Sequence, residues 1–163
     1  MAKLYFRYGA MNSGKSTALM QVAHNYEEQG MRVLILKPKV DTKGSGDLVS
    51  RLGVRRPADL LVPPDMDLVE AVRAASSEGR PLACVLCDES QFLTAEQAEQ
   101  LFMVTVELNI PVICYGLRSD FSLKGFPCRS VNRLSPKSSP YPESISTLGL
   151  PSSAFARDRK SVV

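Results

Sequence analysis

Eight residues near the start of the chain, Gly9-Ala10-Met11-Asn12-Ser13-Gly14-Lys15-Ser16, place a glycine at each end of a four-residue spacer and follow the second with lysine and serine. That spacing, G-x-x-x-x-G-K-[ST], suits the binding of a polyphosphate. Glycines at both ends let the backbone curl until several N–H groups point at one anion. A helix that starts at the lysine adds the unpaired N–H groups of its first turn and the positive end of its dipole. Lys15 can then reach the outer phosphates of a nucleoside triphosphate, and the Ser16 hydroxyl can ligate Mg²⁺. At ordinary glycine usage, a chance match in a chain this long is on the order of one in a few hundred. A glycine-rich turn without a ligand is the alternative, and the strand and helix signals on either side weigh against it.

A second group, Asp88-Glu89-Ser90-Gln91-Phe92, follows the apolar run Leu82–Cys87. An acidic residue at the carboxyl end of a buried strand, downstream of a phosphate loop, can hold Mg²⁺ through water as the ion bridges the outer phosphates. Asp88 has that position. Glu89, one residue further and on a turn, can accept a proton from an attacking hydroxyl or orient a water. The first chemistry makes a kinase and the second an ATPase, and spacing alone does not separate them.

Two other features carry less. Cys84-Val85-Leu86-Cys87 has C-x-x-C spacing, but it lies inside the apolar run and no second pair completes a tetrahedral zinc site. Both thiols are expected on a buried strand, reduced. His24, the single histidine, sits mid-helix beside Asn25 and is expected at the surface.

These groups need a scaffold that brings them together. Leu4–Tyr8 reads as a buried strand, followed by a helix with Leu19, Val22, Ala23 and Tyr26 on one face and Gly30 as its stop. Val33–Leu36 is a second, fully apolar strand, ended by Pro38. Residues 39–56 are polar and glycine-containing, and are expected to form a surface loop. A helix over about 65–78 carries Leu68, Val69, Val72 and Ala75, with Gly79 closing it. After the strand at 82–87, Thr94-Ala95-Glu96-Gln97 is a capping box that opens a third helix, which carries Leu101 and Val104 and stops near Asn109. Pro111–Tyr115 is a further buried strand. Strands alternating with helices imply parallel pairing, so the fold class is α/β. In such sheets ligands sit at the carboxyl ends of the strands, where Gly9–Ser16 and Asp88–Phe92 are expected to meet.

The length of 163 residues is that of one domain. The net charge of +3 invites a nucleic-acid reading, but residues 125–163 hold six basic and two acidic side chains, so the body of the chain is near neutral. No nucleic-acid partner is expected. No apolar run approaches a membrane span, and the first residues lack signal-peptide character. A cytoplasmic location away from membranes is the expectation.

The P-loop, Asp88-Glu89-Ser90-Gln91-Phe92 and Tyr115-Gly116-Leu117-Arg118-Ser119-Asp120-Phe121 together resemble the thymidine kinases of the bacterial and cytosolic type (type II), in that family's order and at its separations. Lys37-Pro38 with Asp41, and Ser50-Arg51-Leu52-Gly53, are similar to its mobile loop. The resemblance covers residues 1 to about 121. It implies a RecA-like P-loop core with a parallel sheet flanked by helices, and transfer of the ATP γ-phosphoryl group to the 5′-hydroxyl of thymidine, a salvage step in DNA precursor synthesis. It makes Glu89 the catalytic base. Gly9, Ala10, Met11, Asn12, Ser13, Gly14, Lys15, Ser16, Asp88, Glu89, Ser90 and Gln91 would serve ATP, with Ser16 and Asp88 on Mg²⁺. Met11, Phe92, Asp41 and Phe121 would face thymidine. Lys43 stands where the family usually has an arginine near Asp41, which keeps the charge but loses the bidentate fork. Family members associate as tetramers, so a homo-oligomer is implied.

From about Ser122 the text changes to scattered serine, proline and arginine, as a divergent or frame-shifted tail would give. The family continues with a small zinc domain and a lasso-like loop that closes over thymidine. No cysteine follows Cys128, so residues 122–163 are expected to lack that domain and to bind no zinc. Activity impaired by the missing lasso is part of this expectation. A P-loop ATPase, or a catalytically inactive remnant that binds ATP, remains the alternative.

Overall fold

The computed structural model describes residues 1–40, 46–50 and 53–117. The expectations for Asp41, Lys43, Phe121 and the segment 122–163 fall outside the described residues. In chain order the elements are β1 (Leu4–Tyr8), α1 (Lys15–Glu28), β2 (Arg32–Pro38), β3 (Asp47–Val49), β4 (Arg55–Pro57), β5 (Leu60–Val62), α2 (Leu68–Ser77), β6 (Leu82–Cys87), α3 (Ala95–Glu107) and β7 (Val112–Gly116), with a 3₁₀ turn at Ser90–Phe92 between β6 and α3.

Five strands pair in parallel in the order β1-β7-β6-β2-β5. The expected α/β architecture is borne out, and it explains the unbroken apolar runs: a parallel sheet covered on both faces buries successive side chains alike. Side chains alternate between the two layers. Leu34, Leu36, Val85, Cys87, Val112 and Cys114 pack with Leu68, Val72, Leu101 and Val104 of α2 and α3. Ile35, Leu86, Ile113 and Tyr115 pack with Leu19, Met20, Ala23 and Tyr26 of α1. Cys84 belongs to the α1 layer and Cys87 to the α2/α3 layer, so the C-x-x-C pair straddles the sheet. Both thiols are buried as expected, and burial pushes the Cys84 thiol up to about 12.

The path of the chain makes a crevice. α1 carries it from β1 across to β2, and α2 and α3 bring it back to fill β6 and β7 between them. Reversing direction at a constant crossover hand puts α1 on one face and α2 and α3 on the other. The carboxyl ends of β1, β7 and β6 therefore border a topological switch point, where open α/β sheets bind ligands.

The structure departs from the sequence reading between Lys39 and Val62. β3 and β4 form an antiparallel hairpin with Leu48 opposite Arg56. Leu48 is fully buried in the α1 layer. Arg56 grips both carboxylate oxygens of Glu27 on α1, at 3.0 Å for Nη1 to Oε2 and closer for the other pair. β5, also unanticipated, pairs with the last residues of β2. Asp59 prolongs that pairing: its carboxylate accepts from the Ile35 N–H at 2.7 Å and its own N–H donates to the Ile35 carbonyl at 3.0 Å. Three-residue strands are too short to show a period, which is why composition read them as loop.

Helix starts follow their caps. Asp67 accepts from the N–H groups of Val69 and Glu70 at 2.9 and 3.1 Å, so α2 begins at Leu68. The expected capping box at α3 is formed, with Thr94 and Gln97 bonding reciprocally at 3.1 and 3.2 Å. His24 is exposed and meets Glu28 one helical turn on, at 3.3 Å.

Candidate active site

The loop between β1 and α1 is shaped by its glycines. Gly14 sits in the left-handed region at φ 77° and precedes α1 with no side-chain cap, whereas α2 and α3 are both capped by side chains. The first N–H groups of α1 are thus left for an anion from outside. Gly9 is needed for space: a Cβ there would lie 2.5 Å from the Ser13 hydroxyl. The Lys15 ammonium folds back over the loop, donating to the Ala10 carbonyl at 2.6 Å and reaching the Gly9 carbonyl and the Ser13 hydroxyl at 3.4 Å each.

The second group comes to this loop as expected. Ser16 donates its hydroxyl hydrogen to the Asp88 carboxylate at 3.0 Å, although β6 lies two strands from β1. Asp88 is only 3% exposed. Burial pushes its carboxyl up from the ordinary carboxylate value, and the neighbouring charge of Glu89 adds to this. The Ser16 hydrogen bond and the Lys37 ammonium pull the other way. A hydroxyl and a carboxylate held this close are hard oxygen donors. They fit Mg²⁺, which takes one or two protein oxygens and leaves its other positions to water and phosphate.

Glu89 stands in the left-handed region at φ 49° and ψ 38°, at the head of the 3₁₀ turn. For a residue other than glycine this costs of order 1–3 kcal/mol, a strain that concentrates at functional sites. Its carboxylate is held by the Gln91 side-chain amide, which donates to Oε2. The Gln91 carbonyl in turn accepts from the Leu117 N–H at 3.2 Å. Ser90 donates to the Tyr115 carbonyl at 2.9 Å. Gln91 and Ser90, both read from sequence as nucleotide contacts, are buried and spend these bonds on positioning the turn.

Sequence reasoning quoted Gly116 without assigning it a role, and the structure supplies one. A Cβ at Gly116 would come within 2.7 Å of the Ser90 hydroxyl and 2.8 Å of the Gln91 carbonyl oxygen. Its own carbonyl accepts from the Gly9 N–H at 3.2 Å, tying the end of β7 to the phosphate loop. A glycine directly after a buried apolar run is the signal that could have found it. Met11 and Phe92, the described members of the expected nucleoside pocket, are 71% and 54% exposed.

A family model described as thymidine kinase matches residues 2–146, a longer stretch than the one that carries the resemblance. A thymidine kinase of Ruegeria pomeroyi is 47% identical over 128 residues, covering 78% of this chain and 64% of the relative. One from Salmonella typhimurium is 50% identical over 122 residues, 74% of this chain and 58% of its own. One from Enterobacteria phage T4 is 46% identical over 127 residues, 77% and 65% of the two chains. The chain thus spans about three fifths of the length of these curated relatives.

Proposed function

The chain belongs to the thymidine kinase family, and from that premise we propose that it transfers the γ-phosphoryl group of ATP to the 5′-hydroxyl of thymidine. The observation that carries the reading is the Ser16–Asp88 contact at 3.0 Å, because it joins the phosphate loop to the acidic turn that bears Glu89. The N–H groups around Gly9–Gly14 cradle the phosphates, and Lys15 leaves the Ala10 carbonyl for the outer phosphate oxygens. Ser16 and Asp88 would hold Mg²⁺, which supplies neutralisation of the charge that builds on the leaving phosphates.

Glu89 accepts the proton of the 5′-hydroxyl as that oxygen attacks the γ-phosphorus. The new O–P bond forms as the bond to the β-phosphate oxygen breaks, and ADP departs with the electron pair. Gln91 fixes the carboxylate of Glu89 for this step. By family likeness Met11, Phe92, Asp41 and Phe121 would serve the nucleoside, and the exposed Phe92 ring can stack on a base. Residues 1–121 form the kinase core in this reading. A cytoplasmic setting and assembly into a tetramer go with it by family likeness.

The test uses ATP labelled in its γ-phosphate, with and without thymidine. Label in thymidine 5′-monophosphate supports the kinase. Release of inorganic phosphate at a rate indifferent to thymidine would show a P-loop ATPase, and ATP binding without turnover would show an inactive remnant.

A further inference from the structure

Lys37 interrupts the apolar run of β2 at its carboxyl end. Leu36 is the register partner of Cys87, and the bond from the Asp88 N–H to the Leu36 carbonyl, at 3.0 Å, carries the ladder one step further. Lys37 and Asp88 therefore follow one another's partners on neighbouring strands, about 4.8 Å apart by sheet geometry. Alternation sets their direction. Leu36 and Cys87 lie in the α2/α3 layer, so the residue after each projects to the α1 side, where Asp88 meets Ser16. Lys37 lies one strand further from β1 than Asp88.

The second observation concerns what the ammonium holds. Lys37 Nζ donates to the Asp47 carbonyl at 2.6 Å. Asp47 opens β3, whose next residue, Leu48, is buried against α1, and β4 carries the Arg56 that grips Glu27 of α1. One cation thus links the switch-point crevice to a hairpin packed on the helix that bears Lys15 and Ser16.

We propose that Lys37 is a positioning residue of the phosphate site: its ammonium holds the hairpin main chain beside Asp88 and adds a positive charge, besides Lys15, at the terminal-phosphate end. This rests on the phosphate-site reading above. The bond and the charge make separable demands. Arginine keeps both, glutamine keeps a donor without charge, and methionine keeps neither.

The experiment titrates the full chain and its Lys37→Arg, Lys37→Gln and Lys37→Met variants with Mg·ATP and Mg·ADP by calorimetry, and follows amide exchange across residues 47–57. Lys37→Arg is expected to stay within about threefold of wild type for both nucleotides. Lys37→Gln and Lys37→Met should weaken ATP roughly tenfold while changing ADP by about threefold or less, the loss of one positive charge from the terminal-phosphate end of the site. Lys37→Met should also speed exchange in the hairpin. If Lys37→Met does not fold, the comparison of glutamine with arginine still decides. ATP affinity unchanged in Lys37→Gln, or equal losses for ATP and ADP, overturns the proposal alone. A wild-type chain that binds no Mg·ATP overturns the phosphate-site reading itself, and the role of Lys37 with it.

Discussion

Asp88 is asked to carry a charge where burial disfavours one. With its pKa raised by desolvation and by Glu89, the native state binds more protons than the unfolded chain across the interval from the ordinary carboxylate value to the raised one. Stability therefore falls as pH rises through that interval. Asparagine in its place can still accept from Ser16 and has no charge to desolvate. Asp88→Asn is expected to melt at a higher temperature than wild type at pH 7 in chelator, with the gap closing as pH falls toward the ordinary carboxylate value. A lower melting temperature at pH 7 would mean that the charged Ser16–Asp88 bond outweighs desolvation. The same variant should lose Mg²⁺-dependent ATP binding. Lys15 contrasts with it, because its ammonium bonds only within the loop, to Gly9, Ala10 and Ser13, among the described residues. Lys15→Ala should leave melting within a degree or two, about what a surface change gives, and abolish phosphoryl transfer. Wild-type turnover by the purified variant would defeat the P-loop assignment.

At the scale of elements, the described residues of the hairpin β3–β4 meet α1 through the fully buried Leu48 and a partly exposed ion pair between Arg56 and Glu27. The ion pair is worth little at that exposure. Leu48 should dominate. Leu48→Ala is expected to cost about 2–5 kcal/mol, read as a drop in denaturant midpoint with unchanged slope, whereas Arg56→Ala should cost about 0–1 kcal/mol. Equal losses would show that the hairpin is held by charge rather than by packing. This element also marks where the sequence stopped being legible. The buried strands β2, β6 and β7 announced themselves through unbroken apolar runs, the half-buried β1 through an apolar and aromatic run broken only by Arg7, and α3 through its capping box, because each signal spans several consecutive residues. Among its described residues the hairpin buries one apolar side chain, Leu48, between Asp47 and the exposed Val49, and the pairing of β5 is prolonged by an aspartate side chain that stands in for backbone. No local pattern reports a contact made through tertiary packing.

At the scale of the molecule, the site exists because the chain reverses direction across the sheet, bringing the ends of β1, β6 and β7 to one crevice. Its candidate members were readable in advance: Lys15, Ser16, Asp88 and Glu89 were all named from motif spacing, and Ser16 and Asp88 meet across 72 positions of sequence. What spacing could not reveal was support. Gly116 matters through the room it leaves for Gln91, and Lys37 through its register beside Asp88. Both effects depend on strand neighbours that only the β1-β7-β6-β2-β5 order supplies.

The most direct test of that arrangement is the turnover of Glu89→Gln with γ-labelled ATP and thymidine, measured alongside its ATP affinity. The substitution keeps the shape and the hydrogen-bonding reach of the side chain and removes the proton acceptor. The expected result is thymidine 5′-monophosphate formed by wild type and a fall of about 10²- to 10⁴-fold in the variant, with ATP affinity within about threefold of wild type. Turnover unchanged in Glu89→Gln, while Asp88→Asn is inactive, would contradict the assignment of Glu89 and place the base elsewhere.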